Sequence, residues 1–283
     1  MEIVSLNKIL ELIDKLPDYP KEIHIINKSM KPDTTDFSPV ISYITSNKVF
    51  LEIFKNFIPE SRRNESFEKN ISLTINKLGV NNLRNILYTC SILSLNENEN
   101  TAIVLKKIIT AANISRDIIE KINMYRKTRH NPENFYLYSL FHDIGEVFAT
   151  RFFNEELDNT VFNVNESIDL DNINEIVHHN EIGYMMINKW ELPSIFSYIC
   201  LNHTKLEYRK FTADFIFIIN VLAVADALAL EILDFKKPII NNWDVGHSIY
   251  KIGLREDDVY TEAGIIGAVN NKIPKILSLY NLK

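Results

Sequence analysis

Apolar side chains recur at three- and four-residue spacing over most of this chain. Ile9, Leu12, Ile13 and Leu16 form one stripe, Ile71, Ile75 and Leu78 a second, and Leu83, Ile86 and Leu87 a third. Ile108, Ile109 and Ala112, then Ile114, Ile118, Ile119 and Ile122, carry the pattern on. This is the period of an α-helix that buries one face. Two-residue alternation is rare, and no Asn-Gly or Asp-Gly pair marks a hairpin. The pattern predicts an all-α protein.

Segments rich in Pro, Asn, Asp and Ser interrupt the stripes at 16–20, 30–39, 58–66, 94–101, 127–134, 153–172 and 234–246. Such residues compete with helix hydrogen bonds or cannot enter a helix. "NENENT" predicts a helix N-cap just before Ala102, and "LREDDVY" another helix start. The coarsest division is an N-terminal helical lobe (1–95), a second helical lobe (96–233) and a C-terminal helical extension (234–283) that covers the second lobe.

The longest apolar run, residues 215–233, could span a bilayer by length, but Asn220, Asp226 and Glu231 interrupt it. An ionisable group in mid-span is costly in lipid, so the run reads as a buried helix. With no signal-peptide pattern at the N-terminus, a cytoplasmic location is expected. Two cysteines, Cys90 and Cys200, form no metal or redox motif and lie in apolar stretches, which predicts buried free thiols. A net charge of −6 argues against DNA binding through a basic face.

The second half holds chemistry that an apolar helix does not need. "LFHDIGEVF" puts His142 and Asp143 side by side in a hydrophobic run, and "VLAVADALAL" puts Asp226 among apolar residues on both sides. Asp226 is the charge whose burial looks most anomalous. A buried carboxylate stays neutral or finds a cation, a donor or a metal. His179 and His203 stand in similar surroundings. Imidazole and carboxylate together suit a divalent transition metal, and helical bundles build such sites from facing helices. The residues alone leave two readings open. These side chains are metal ligands, or they are hydrogen-bonded core residues, with His178 capping a helix start.

The pattern resembles a known family. "FHDIGE" is similar to the HD motif of the HD superfamily of metal-dependent phosphohydrolases. "LPDYP", "SLTINKLGVNNLRNIL" (72–87) and "HNEIGYMMINKWELP" (179–193) follow in the order of one branch, the HDOD domain of bacterial signalling proteins, over residues 10 to 210 or so. The resemblance implies a multi-helix HD-like bundle with a remnant metal site of His142, Asp143, His179, His203 and Asp226.

The departures from the catalytic branches bear on activity. The helix before the HD pair, "VLKKIITAANISRDIIEKI" (104–122), lacks the histidine of the enzymes; that position is expected near Ile108, Ile109 or Thr110. Glu146, whose charge repels a phosphate, stands where a related branch has a lysine that attracts one, and Asn202 and His203 stand where it has paired histidines. The resemblance therefore implies a signal-transduction or regulatory module without catalytic residues. It would act through protein partners or a nucleotide or cyclic-dinucleotide ligand, with no cofactor or with one divalent transition metal ion. The alternative is a divergent metal-dependent phosphohydrolase with those five residues as ligands, in which Lys106 and Lys107 lend charge to a phosphate. The charged stretches "RRNESFEK" and "HTKLEYRK" are candidate interaction surfaces.

Overall fold

The computed structural model describes residues 6–21, 23, 36–58, 67–153, 178–204, 210–234, 245–262 and 264–282. Among them every regular element is helical, as the apolar spacing predicts. Contacts group the chain into two compact units: residues 1–18 with 95–271, and residues 19–94 with 272–283. The N-terminal residues thus fall in with the HD-like segment, and the last twelve with the N-terminal one.

The smaller unit contains α2 (Ser38–Ser46), α3 (Lys48–Phe57), α4 (Phe67–Leu93) and α14 (Ile273–Leu279). Asn47 caps α3, its side chain accepting from the amides of Val49 and Phe50. That satisfies donors that a helix start leaves unpaired. At Gly79 α4 kinks, with φ +75° and ψ 162°. A side chain there would be strained, so glycine is what lets the two helical stretches join at this angle. The C-terminal α14 packs on α3, with Asn56 Nδ2 donating to the Leu279 carbonyl at 2.7 Å and the Phe57 and Tyr280 rings 6.0 Å apart.

The larger unit holds α1 (Leu6–Asp14), α5 (Glu99–Arg126), α6 (Pro132–His142), α7 (Ile144–Phe153), α8 (His179–Lys189), α9 (Ser194–Asn202), α10 (Ala213–Ile232), α11 (Val245–Lys251), α12 (Glu256–Tyr260) and α13 (Ile265–Asn270). The N-cap that "NENENT" predicts is Asn98, whose side chain accepts from the Thr101 amide at 2.8 Å. Asn131 and Thr212 cap α6 and α10 in the same way, and Pro132 opens α6 where its missing N–H costs nothing.

The long α5 is central, lying against α6, α7 and α10. Its fully buried Val104, Leu105, Ile108, Ile109, Ile114, Ile118 and Ile119 supply much of the core. The apolar run at 215–233 is α10, long and apolar enough to cross a membrane by composition, but packed here against α5, α6 and α11. The first helix, α1, lies on α8: Lys189 Nζ donates to the carbonyls of Ile13 at 2.7 Å and Asp14 at 2.8 Å. A cation at the last carbonyls of a helix satisfies acceptors that the helix itself leaves free. Trp190 Nε1 donates to the Pro17 carbonyl at 3.1 Å, fixing the start of "LPDYP" on the same unit.

The stretch after residue 234 was expected to form two or three amphipathic helices, and its described part forms four short ones. Gly253 (φ +78°) and Pro274 account for breaks that periodicity alone would run through.

Candidate functional site

His142 and Asp143 would point about 100° apart on one continuous helix. The chain avoids this by ending α6 at His142 and starting α7 at Ile144, with Asp143 between them at φ −107° and ψ 21°. Both side chains then face the same centre, and both are buried. A second constraint comes from Gly145. A Cβ there would lie 1.9 Å from the His179 carbonyl oxygen and 2.9 Å from the Gly183 nitrogen. The start of α7 therefore rests directly on α8, which brings His179 to the HD pair. The glycines of "FHDIGE" and "HNEIG" have this packing as their physical cause.

His178 takes the N-cap position of α8 as expected, and Glu181 reaches back to accept from its amide at 2.6 Å. His203 ends α9, and α10 carries Asp226.

All five residues selected from the sequence converge. His142 Nε2 is 2.7 Å from Asp226 Oδ2 and 3.2 Å from Asp143 Oδ2. His203 Nε2 is 2.9 Å from Asp143 Oδ1, and His179 Nε2 is 3.6 Å from the same oxygen. The two Nε2 atoms of His179 and His203 are 3.4 Å apart. Asp143 is thus the hub. Asp226, the most anomalous charge in the sequence, is less buried than Asp143, its side chain remaining 23% exposed.

Two further residues belong to the cluster. Lys107 Nζ donates to Asp143 Oδ2 and to Glu146 Oε2, each at 2.8 Å. The side chain that α5 sends into the site is therefore Lys107, not one at Ile108, Ile109 or Thr110. Lys107 is also not aimed outward to receive a phosphate; it is buried and tied to two carboxylates. Glu146, read from the sequence as a charge that would repel phosphate, is equally buried and serves as the second acceptor of that ammonium. Asn202 turns back to its own helix, donating to the Tyr198 carbonyl at 2.8 Å.

The charges sustain one another. Burial raises the Asp143 carboxyl, but His142 and Lys107 more than reverse this and hold it well below the usual range. Burial lowers Lys107, yet Asp143, Glu146 and Asp226 keep it well above its ordinary value. Burial likewise pulls down His142, and the carboxylates of Asp143 and Asp226 raise it well above. For His203 burial wins, and its imidazole is held below the usual range.

The ring orientations decide whether a metal fits. His142 Nδ1 lies 2.6 Å from the Ser139 carbonyl and His203 Nδ1 lies 2.9 Å from the Cys200 carbonyl. A carbonyl only accepts, so each Nδ1 carries the hydrogen and each Nε2 turns toward the carboxylates. A neutral His203 then aims a bare nitrogen at Asp143 Oδ1, which a cation between them, or a proton on Nε2, makes favourable. Metal-ligating histidines have this arrangement, with the other ring nitrogen donating to a carbonyl. Asp226 Oδ1 is buried and makes no hydrogen bond among the described residues. Among the described residues two overlapping groups have ligand atoms close enough to share an ion: His142, Asp143 and His203; and Asp143, Glu146 and His179. The first fits a divalent ion. In the second, the Lys107 ammonium already lies on both carboxylates.

His130 lies away from these, stacked on Phe217 with ring centroids 4.9 Å apart. His24, "RRNES" and most of "HTKLEYRK" fall outside the described residues. Cys90 and Cys200 are buried free thiols, and Cys200 Sγ donates to the Phe141 carbonyl at 3.0 Å.

Comparison with known proteins gives a consistent picture. A profile of the HDOD domain matches residues 66–206. A solved HDOD domain protein of unknown function from Geobacter sulfurreducens shares 19% identity, with a TM-score of 0.58 over 99% of each chain. Two solved proteins from Shewanella amazonensis SB2B are also similar. One, named "Putative phosphohydrolase", is 15% identical with a TM-score of 0.57 over 99% of this chain and 97% of its own. The other, named "Putative metal-dependent phosphohydrolase", is 14% identical with a TM-score of 0.58 over 95% of this chain and 97% of its own. These structural likenesses speak for the fold. No curated protein matches the sequence.

Proposed function

Since the chain is an HDOD-domain protein of the HD superfamily, we propose that it works as a regulatory interaction module in signal transduction, in which the HD cluster joins helices rather than turning over a substrate. The observation that carries this reading is Lys107, whose ammonium bonds both Asp143 and Glu146. It neutralises the HD carboxylate from inside the fold. The same bonds take up an ammonium that could otherwise have met a substrate phosphate. Six elements meet at the cluster: α5 through Lys107, α6 and α7 through the HD pair and Glu146, α8 through His179, α9 through His203 and α10 through Asp226. A buried network of this kind fixes how helices sit against one another. The output would then come from the unit's surface, through a signalling protein partner or a nucleotide or cyclic-dinucleotide ligand, in a bacterial cytoplasm.

A second reading has its own support. The Nδ1 bonds of His142 and His203, and an Asp226 Oδ1 that makes no hydrogen bond among the described residues, favour a divalent ion held by His142, Asp143, His179, His203 and Asp226. Such an ion supplies Lewis-acid chemistry for phosphoester hydrolysis when bound. The chain would then be a divergent metal-dependent phosphohydrolase.

Turnover separates the two. The full chain, purified without chelator and loaded in turn with Mn²⁺, Fe²⁺, Ni²⁺ and Zn²⁺, is expected to hydrolyse bis-p-nitrophenyl phosphate and cyclic dinucleotides no faster than its Asp143→Asn variant. Hydrolysis that the natural chain shows and the variant lacks would overturn the regulatory reading in favour of the enzyme.

A further inference from the structure

The two groups able to share an ion have Asp143 in common and differ in their other members. On one side Asp143 meets His142 and His203; on the other it meets Glu146 and His179. Lys107 Nζ stands 2.8 Å from Asp143 Oδ2 and 2.8 Å from Glu146 Oε2, the two carboxylates of the second group. Its side chain is only 11% exposed, and those of Asp143 and Glu146 are 6% and 7% exposed. An ammonium so placed meets these oxygens much as a metal ion would: it brings positive charge and donates N–H hydrogen bonds to their lone pairs.

From this geometry we infer that Lys107 is a built-in cation that fills the Glu146 side of the HD cluster, so that the cluster holds at most one divalent ion and a second position opens when Lys107 is removed. The lysine thus sets the metal stoichiometry of the site. Lys107 is a buried residue of α5, and its three N–H donors have two carboxylates to meet, so the position is filled without any ion from solution. The inference extends the proposed function, because a permanently closed second position suits a cluster that joins helices. It does not depend on whether the first position turns over a phosphoester.

The test is a metal count. The natural chain, Lys107→Ala, Lys107→His and Lys107→Arg are purified without tag or chelator, equilibrated with excess Mn²⁺, dialysed, and assayed for bound metal by elemental analysis, with helicity followed by circular dichroism. Lys107→His and Lys107→Ala are expected to hold one more Mn²⁺ per chain than the natural protein. Lys107→Arg, which keeps the charge, is expected to stay at the natural value. If Lys107→Ala does not fold alone, Mn²⁺ is expected to restore it. Equal metal content in all four proteins, a natural chain that already holds two ions, or variants that Mn²⁺ neither loads nor restores would each overturn the inference. Phosphodiester turnover plays no part in this count, so its outcome is separate from that of the hydrolysis assay.

Discussion

Replacing Lys107 with Met keeps the apolar stem and removes only the ammonium. In the structure that ammonium is 2.8 Å from each of two buried carboxylates. At an effective dielectric of about 20, each contact is worth ~6 kcal/mol of Coulomb attraction. The desolvation of the ammonium itself offsets much of this. Removing one partner of a buried pair costs ~3–5 kcal/mol, because the remaining charge is left uncompensated. Asp143 still has His142 at 3.2 Å, so the lower part of that range, ~3–4 kcal/mol, is expected. For a unit of this size that corresponds to a fall in Tm of about 10 °C. The assay is urea and thermal unfolding with chelator present, on Lys107→Met, Glu146→Gln and the double variant. Because Glu146 is buried with its charge facing Lys107, the double variant should be more stable than the sum of the single effects predicts, by ~1–3 kcal/mol. A Lys107→Met protein within ~0.5 kcal/mol of the natural one, an ordinary surface value, would refute the reasoning. So would strictly additive effects in the double variant.

Two further changes probe the same centre. Gly145→Ala would set a Cβ 1.9 Å from a backbone oxygen of α8, and since backbone cannot rotate aside, α7 and α8 must separate; loss of soluble folded protein, read by yield and near-ultraviolet circular dichroism, is expected, and a natively folded variant would contradict the packing described. The pH dependence of stability follows from Asp143, where burial raises the carboxyl but His142 and Lys107 outweigh it and hold it well below the usual range. A carboxyl depressed by folding contributes its full stability above its unfolded value of about 3.9 and loses it as pH falls through the folded value. The stability difference between the natural protein and Asp143→Asn should therefore be level from neutral pH to about 5 and narrow below that, and a difference that acid leaves untouched would show that the carboxylate is not held in this way.

How much of this could be read from the sequence differs sharply between fold and site. Helix class was legible because one-sided burial imposes a period, and the stripe Ile108, Ile109, Ile114, Ile118 and Ile119 is fully buried as that period requires. The HD pair, His179, His203 and Asp226 were legible because a polar side chain in an apolar run is expensive and so draws notice. Lys107 was not, because it sits beside Lys106 in a helix with charge along its length, and two adjacent lysines look alike in one dimension. A signal was present nonetheless. Lys107 is three residues after Val104 and four before Ala111, both fully buried, so the helical period puts it on the inward stripe and turns Lys106 by about 100° away from it. An inward lysine needs an acid, and Glu146 lies three residues after Asp143 in the same apolar run, where the turn of α7 returns it to the same side. Read as a pair, the two charges explain each other's burial. Read separately, as a lost histidine on one helix and a phosphate-repelling acid on another, they looked like two defects in a catalytic site. The physical content of the sequence lies in the pairing, which only the packing of α5 against α7 brings about.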